Sequence, residues 1–145
     1  MCLIVDNDVI ARVFSSSSDP DFGTLHERIF VDRRPSVVLH VCVALMEEYV
    51  GNSRVRLLIA ELVRKGQAIL ADEDKIEAES NAVQASGLCK SNDHHVIALA
   101  RVSGARMLCS LDRALHRDFT NGRLIRPRGR VYQSSAHDHL LVEDC

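Results

Sequence analysis

Apolar and polar residues follow one another in blocks along this chain, and the blocks predict strands that alternate with helices. Four short runs, apolar or β-branched, are typical of strands that helices cover on both faces. They lie at residues 2–5, 36–41, 68–70 and 107–109, and residues 130–133 are predicted to form a last edge strand. Strands that alternate with helices indicate a parallel sheet with helices on both sides.

Helices are predicted in the segments that separate these strands. They are expected at about residues 7–14, 21–30, 45–49, 53–65, 72–86, 93–103 and 113–119. The clearest unit is residues 91–118, where Ser91 or Asn92 can cap a helix and Gly104 can end it. Asp93 is then expected in the first helical turn, and Asp112 is expected at the exit of the strand that follows.

Length and composition fit one globular domain. The chain has 145 residues, of which 46% are hydrophobic and 26% charged, with a net charge of -2. We expect a three-layer α/β/α sandwich with a central parallel sheet of 4–5 strands, formed by residues 1–133, and a polar C-terminal tail at residues 134–145. The balanced charge gives no general sign of a nucleic-acid binder, so any basic surface must be local.

The sequence predicts a cytoplasmic protein with no membrane partner, because it has neither a long apolar span nor a signal-peptide pattern. Its five cysteines are far apart in the sequence and show neither metal-ligand spacing nor the density of a disulfide framework. Cys42 and Cys109 are therefore interpreted as small buried hydrophobic residues.

Four acidic residues are predicted to meet at one edge of the sheet. Asp6 and Asp112 follow strands, whereas Glu48 and Asp93 belong to helical segments. Four carboxylates so close would repel one another unless cations neutralised them. All-oxygen ligation suits Mg²⁺ or Mn²⁺, and such an ion can polarise a phosphodiester and activate water.

The segments around these acids resemble the PIN domain, a family of metal-dependent nucleases found in toxin-antitoxin pairs and in RNA processing. Four segments carry the likeness, and their order and spacing look like the family's over nearly the whole chain. They are Leu3-Ile4-Val5-Asp6-Asn7, Leu45-Met46-Glu47-Glu48-Tyr49, residues 93–100 (DHHVIALA) and Leu108-Cys109-Ser110-Leu111-Asp112. The last two segments, with Ser103-Gly104-Ala105 between them, are the more specific pair.

The resemblance implies an endoribonuclease that hydrolyses RNA phosphodiester bonds with Mg²⁺ or Mn²⁺. It implies RNA as a partner, and a protein antitoxin and a second copy of the chain as further partners. The residues that correspond to the catalytic, metal-binding set are Asp6, Glu48, Asp93 and Asp112, with Asn7, Ser110 and His116 in supporting positions. Glu48 is preferred to Glu47 because it directly precedes Tyr49, as in the family pattern.

Two positions depart from the family pattern. Leu111 stands where a glycine is common, and His116 stands where many members carry a further Asp or Asn. His116 could orient a water molecule or contact phosphate, and with this departure the pattern leaves both one and two metal ions open. Asp118 could compensate, although its spacing favours the outer face of the helix.

Further polar groups are interpreted from charge and spacing. Arg113 and Arg117 begin a basic concentration beside Asp112, which we interpret as a phosphate-binding surface. Its other members are Arg123, Arg126, Arg128 and Arg130. His94 and His95 point about 100° apart on a helix, so they are not expected to share a metal ion. The acids at residues 72–79 are interpreted as a solvated face.

Two other functions stay open from the sequence. Asp6-Asn7-Asp8 has the Asp-x-Asp form of haloacid-dehalogenase-like phosphatases, although a well-placed lysine and a downstream acidic pair are missing. A non-catalytic PIN-like domain that binds RNA or protein is the other alternative, for which Leu111 and His116 would mark a loss of metal affinity.

Overall fold

The computed structural model describes residues 1–33, 36–141 and 145, and its centre is a parallel sheet of five strands in the order β3-β2-β1-β4-β5. The strands are β1 Cys2–Val5, β2 Val38–Val41, β3 Ala68–Leu70, β4 Met107–Cys109 and β5 Arg130–Tyr132. The register places Leu3 beside Leu39 of β2 on one side and beside Met107 of β4 on the other. Every neighbouring pair is parallel, so all five strands end at the same edge.

Helices cover both faces of this sheet, and the chain is a three-layer α/β/α sandwich as expected. The α-helices are α1 Asn7–Val13, α2 Gly23–His26, α3 Val43–Glu48, α4 Ser53–Arg64, α5 Glu73–Ser86, α6 His94–Ser103 and α7 Arg113–Phe119. A π-helical segment, Glu27–Val31, extends α2, and a 3-10 turn, Tyr49–Gly51, extends α3. Each of these helices overlaps a segment in which the sequence predicted a helix.

The buried surfaces explain why these elements form where they do. In β1 and β4 the residues Leu3, Ile4, Val5, Leu108 and Cys109 are fully buried, as the continuous apolar runs predicted. Cys42 and Cys109 are buried free cysteines, which confirms that interpretation.

The strand order creates a point at which the chain reverses direction across the sheet. From β1 the chain moves outward through β2 to β3, and it then returns to the other side of β1 as β4. The connection that follows β1 therefore leads toward β2, and the connection that follows β4 leads toward β5, in the opposite direction across the sheet. Ligands of open α/β sheets bind in the crevice at such a reversal.

The end of the chain packs on the domain in a way that its polar composition did not predict. A 3-10 helix, Ser135–Leu140, follows β5, and Asp138 accepts hydrogen bonds from Tyr132 at 2.5 Å and from Thr24 at 3.0 Å. Leu141 is buried beside it. Residues 142–144, part of the expected tail, lie outside the described residues.

A disulfide joins Cys2 at the start of β1 to Cys145, a pairing that the sequence did not indicate. The two cysteines are 143 residues apart in sequence, and only the fold brings them together. Disulfides are rare in the cytosol. The cytoplasmic location therefore stays a prediction.

Two features of the surface complete the description. Within the described ranges, no helix combines the length and the apolar character that crossing a bilayer would require. Apolar side chains are exposed around the β3 edge, α4 and the end of α3. These are Val50, Leu57, Val63, Ile69 and Leu70.

Candidate metal centre

Asp6 lies at the exit of β1, where it begins α1 and faces β4. Its Oδ1 accepts a hydrogen bond from the Asn7 backbone at 2.8 Å, and its Oδ2 accepts one from Ser110 Oγ at 2.8 Å. The pKa of Asp6 is raised to about 6, first by burial and then by the nearby charges of Asp8 and Asp93, against the lowering effect of the Ser110 and Asn7 hydrogen bonds. A cation beside Asp6 would relieve this repulsion.

Asp93 occupies the N-cap position of α6, one residue before the helix that was expected to include it. Neither Ser91 nor Asn92 takes that position. The Asp93 side chain makes no capping hydrogen bond, unlike Asp112, which accepts bonds from Ala114 and Leu115 at the start of α7. The Asp93 carboxylate is therefore not used to hold its own helix.

The pKa of Asp93 is raised by burial first and then by the charges of Glu48, Asp112 and Asp8, while His95 opposes the shift. Three carboxylates that come from three separate segments therefore act on Asp93 at once. Their mutual repulsion is the electrostatic signature that was expected of a shared acidic pocket.

Glu48 reaches the same place from the last turn of α3. The neighbouring Tyr49 is buried, and its hydroxyl donates a hydrogen bond to the backbone carbonyl of Val5, directly before Asp6. This bond ties the end of α3 to the end of β1. Glu47 is exposed and lines a different surface, beside Met46 and Arg56. The structure thus directs Glu48, rather than Glu47, toward Asp93.

His95 completes a compact group with Glu48 and Asp93, in which one ligand atom from each residue lies within 4.8 Å of the others. Among residues 1–33, 36–141 and 145, this is the one group of acidic, histidine or cysteine side chains close enough to hold a metal ion. The group thus includes an imidazole nitrogen in addition to the carboxylate oxygens that were expected as ligands. His94 does not belong to the group, so the two histidines do not share a site.

The Nε2 atom of His95 is buried, and its contacts fit metal binding. It lies 3.0 Å from Glu48 Oε1, but among the described residues it has no partner with an acceptable hydrogen-bond angle. Burial alone would lower the pKa of His95, yet the carboxylates of Glu48, Asp93 and Asp6 raise it overall. A buried ring nitrogen beside two carboxylates is a donor set that can accept a divalent cation.

Asp6 and Asp112 lie beside this compact group rather than within it. Their charges nevertheless reach it, since Asp93 repels Asp6 and Asp112 repels Asp93. The four predicted acids therefore share one edge of the sheet. Glu48, Asp93 and His95 are close enough together to hold one ion, and Asp6 and Asp112 lie beside them.

Ser110 and His116 support the exit of β4. Ser110 is fully buried, donates to Asp6 and accepts a hydrogen bond from the Asp112 backbone at 3.0 Å. His116 Nε2 lies 2.6 Å from the Ser110 carbonyl oxygen, so its ring fixes this loop. In this position His116 contacts the protein backbone, where water or phosphate was considered from the sequence.

Asp8 is a member of this acidic edge that the sequence did not identify. It lies in the first turn of α1, and its Oδ2 accepts a hydrogen bond from the Leu111 backbone at 2.9 Å. After burial, its charge is among the causes that raise the pKa of Asp6. Asn7, beside it, is exposed and contributes its backbone N–H to Asp6. Asp8 thus links α1 to the loop after β4.

Asp118 was expected on the outer face of α7, and this expectation is wrong. The residue is 1% exposed, and its carboxylate accepts hydrogen bonds from Lys90 N at 2.7 Å, from Ser91 N at 2.8 Å and from Ser91 Oγ at 2.6 Å. Charge-assisted bonds of this kind hold a loop firmly. Asp118 therefore positions the segment that delivers Asp93, and it does not face the metal centre.

The arginines that follow Asp112 are divided between two ends of the sheet. Arg113 and Arg117 are exposed on α7 and have no hydrogen bond or ion pair with the described residues. Arg130 starts β5, at the opposite edge from the acids, and the preceding arginines lead toward that edge. The sequence suggested one basic surface, but only its first part lies beside the candidate site.

His95 was visible in the sequence beside Asp93, but it was considered as a metal ligand only together with His94. His95 was compared with His94, whereas its relevant partners are Asp93, two positions earlier, and Glu48, which is distant in sequence. Only the packing of α3 against α6 brings Glu48 to it. Asp8 was missed because its two-residue spacing from Asp6 suggests opposite sides of a helix.

Comparisons with known proteins do not assign this chain to a family. No protein-family model matches the chain, and no match is found among curated proteins or among solved structures. The likeness to the PIN domain thus remains a resemblance of motifs, and the functional argument rests on the site's geometry.

Proposed function

We propose that this protein is a divalent-metal-dependent endoribonuclease that cuts RNA at the acidic edge of its sheet. One observation carries the proposal: Glu48, Asp93 and His95 converge within 4.8 Å of one another beside the chain reversal between β1 and β4. The motif resemblance to the PIN domain supports the same activity.

The chemistry of the donors favours Mn²⁺ over Mg²⁺. Carboxylates suit both ions, but an imidazole nitrogen suits softer ions than Mg²⁺. A divalent cation held there would supply charge stabilisation to the phosphodiester and lower the pKa of water. Glu48, Asp93 and His95 would hold it, while Asp6 and Asp112 add negative potential from the side.

The remaining residues bind and orient the RNA. Arg113 and Arg117, one helical turn apart, offer exposed guanidinium groups to the phosphates on the side of Asp112. Ser110 favours the ionised form of Asp6 by donating to it, and Asp118 keeps the loop before Asp93 in place. The chain itself thus supplies binding, orientation and proton control.

The proposal is tested with a fluorescent single-stranded RNA and two neighbouring glutamates. Cleavage should require Mn²⁺ and stop with a chelator, and Glu48→Gln should reduce the rate at least about 100-fold, as loss of a metal ligand does. Glu47→Gln removes the same charge one residue away and should leave the rate within about twofold. Equal rates for both variants would overturn the proposal.

A non-catalytic RNA-binding function is the second candidate, and Leu111 favours it. This apolar side chain is 47% exposed beside Asp112 and could obstruct a substrate. If the chain only binds RNA, the RNA should remain intact in Mn²⁺ while its complex with the protein persists in chelator. Cleavage that depends on Glu48 would reject this candidate.

We also propose a protein partner for the exposed apolar surface around α4 and β3, either the antitoxin or the second copy that the resemblance implies. The supporting residues include Leu57 at 71% exposure and Leu70 at 52%. Light scattering should give a dimer mass if a second copy covers this surface. A monomer would leave the antitoxin as the partner to test.

A further inference from the structure

A groove of about 200 Å³ lies between α3 and α5 and ends at His95. Its floor is apolar and comes from Val43, Ala44 and Ile76, the last of which is 6% exposed. Pockets for drug-sized ligands are usually about 300–1,000 Å³. The groove therefore fits one flat ring better than a larger molecule.

The wall of the groove is polar and carries negative charge. Glu73, Glu77 and Asn81 follow one another at four-residue intervals, so they share one side of α5. None of the three side chains has a hydrogen bond or ion pair with any residue that the structure describes. Their oxygens are thus available to a ligand that offers N–H donors.

The groove is continuous with the candidate metal centre, because His95 lines the groove and also belongs to the group with Glu48 and Asp93. If a phosphate of an RNA strand lay at that group, the groove would be an adjoining surface for a neighbouring base. The inference therefore rests on the proposed function, and it adds a preference for one class of base.

We propose that the groove binds a nucleobase that carries an exocyclic amino group, and that it selects cytosine over uracil. The apolar floor would contact the face of the ring. The carboxylate of Glu77 would accept the amino N–H of cytosine, whereas it would repel the carbonyl oxygen that uracil presents at the same position. Cytosine and uracil have nearly the same shape, so shape alone cannot produce this preference.

The test measures the binding of fluorescent oligocytidine and oligouridine hexamers by anisotropy, with a chelator present so that the RNA stays intact during the measurement. Oligocytidine should bind about tenfold more tightly, which corresponds to one good base contact. Glu77→Gln should reduce the ratio of the two affinities to within about twofold, because a neutral amide can pair with either base.

Asp74→Asn is the matched control, since it removes one negative charge from the same helix at an exposed position outside the groove. It should leave the cytosine-to-uracil ratio unchanged. Equal binding of the two hexamers by the unmodified protein would overturn the inference. It would also be overturned if Glu77→Gln and Asp74→Asn changed both affinities equally, because the charge would then act on phosphate alone.

Cleavage of the same hexamers in Mn²⁺ separates this inference from the proposed function. Selective binding without cleavage would retain the groove and reject the nuclease. Cleavage at equal rates, together with equal binding, would retain the nuclease and reject the groove.

Discussion

Two acid-rich regions of this molecule contrast sharply: helix α5 and the edge of the sheet beside β1 and β4. The acids of α5 are close in sequence but have separate surroundings. Asp72 caps the helix by accepting from Lys75 N at 3.2 Å, and Glu79 pairs with Arg101 at 3.2 Å. At the sheet edge, acids that are far apart in sequence converge, and burial together with their charges raises the pKa values of Asp6 and Asp93.

A high density of acids in the sequence is therefore a poor indication of a metal site. Carboxylates that the fold holds close together in space, against their mutual repulsion, are a better one. On α5 each charge is solvated or paired, so no cation is needed. At the sheet edge the fold holds like charges together, and the buried His95 Nε2 lies 3.0 Å from Glu48 Oε1. Such an arrangement costs stability, and a bound cation offsets that cost.

The largest expected effect compares the N-cap aspartates of the two regions. Asp93→Asn should reduce Mn²⁺-dependent RNA cleavage at least about 100-fold, because its carboxylate makes no capping bond and is free to bind metal. Asp72→Asn should leave cleavage unchanged, since asparagine caps a helix as well as aspartate. Steady-state cleavage rates check both, and a similar loss in the two variants would contradict the distinction between these regions.

The next effect concerns the imidazole at the sheet edge. His95→Ala should weaken Mn²⁺ binding about 10- to 100-fold and bring the affinities for Mn²⁺ and Mg²⁺ closer together, because the nitrogen donor is lost. His94→Ala is the control on the same helix. Competition between the two ions, followed by the paramagnetic signal of Mn²⁺, measures the preference. An unchanged preference in His95→Ala would exclude the imidazole as a ligand.

The pH dependence of stability should show the cost of the converging charges. Folding raises the pKa of Asp6 from 3.8 to about 6, and it also raises the pKa of His95. Between about pH 5 and 7 the folded state therefore binds more protons than the unfolded state. Unfolding free energy should therefore fall as pH increases from about 5 to 7. In chelator, the melting temperature should be a few degrees higher at the lower pH.

With saturating Mn²⁺ the melting temperature should instead be higher at the higher pH, because protons compete with the metal for the same ligands.

Asp6→Asn should flatten the dependence of stability on pH measured in chelator. It should also raise the free energy of unfolding at neutral pH by about 1–2 kcal/mol, since the neutral amide avoids the repulsion. The full shift of the Asp6 pKa would correspond to about 3 kcal/mol, and we expect a smaller effect because water in the open crevice screens the charges. A melting temperature that rises with pH in chelator would contradict the assigned repulsion.

The smallest effect compares two serines. Ser110→Ala removes the hydroxyl that lowers the pKa of Asp6, so we expect about tenfold weaker Mn²⁺ binding and a further rise of that pKa. Ser86→Ala removes a hydroxyl that bonds Val83 O within α5 and should change neither property. Titration of the Asp6 carboxyl by NMR, with calorimetry of Mn²⁺ binding, separates the two variants.

The comparison also shows what the sequence could and could not predict. Strands and most helices were predicted because apolar periodicity is local, and the parallel sheet with acids at one edge followed from that order. Asp118 was misjudged, and the pairing of Cys145 with Cys2 was not identified, because the partners of both residues are set by tertiary packing. His95 was not identified as a candidate ligand for the same reason, since Glu48 reaches it only through packed helices.

The most direct test of the account is calorimetric titration of Mn²⁺ into the unmodified protein and into Asp93→Asn. The account predicts saturable binding, tighter than about 1 mM, in the unmodified protein and its loss in the variant. Equal heats in the two proteins, or no binding at millimolar metal in the unmodified protein, would contradict the assignment of Glu48, Asp93 and His95 as a metal centre.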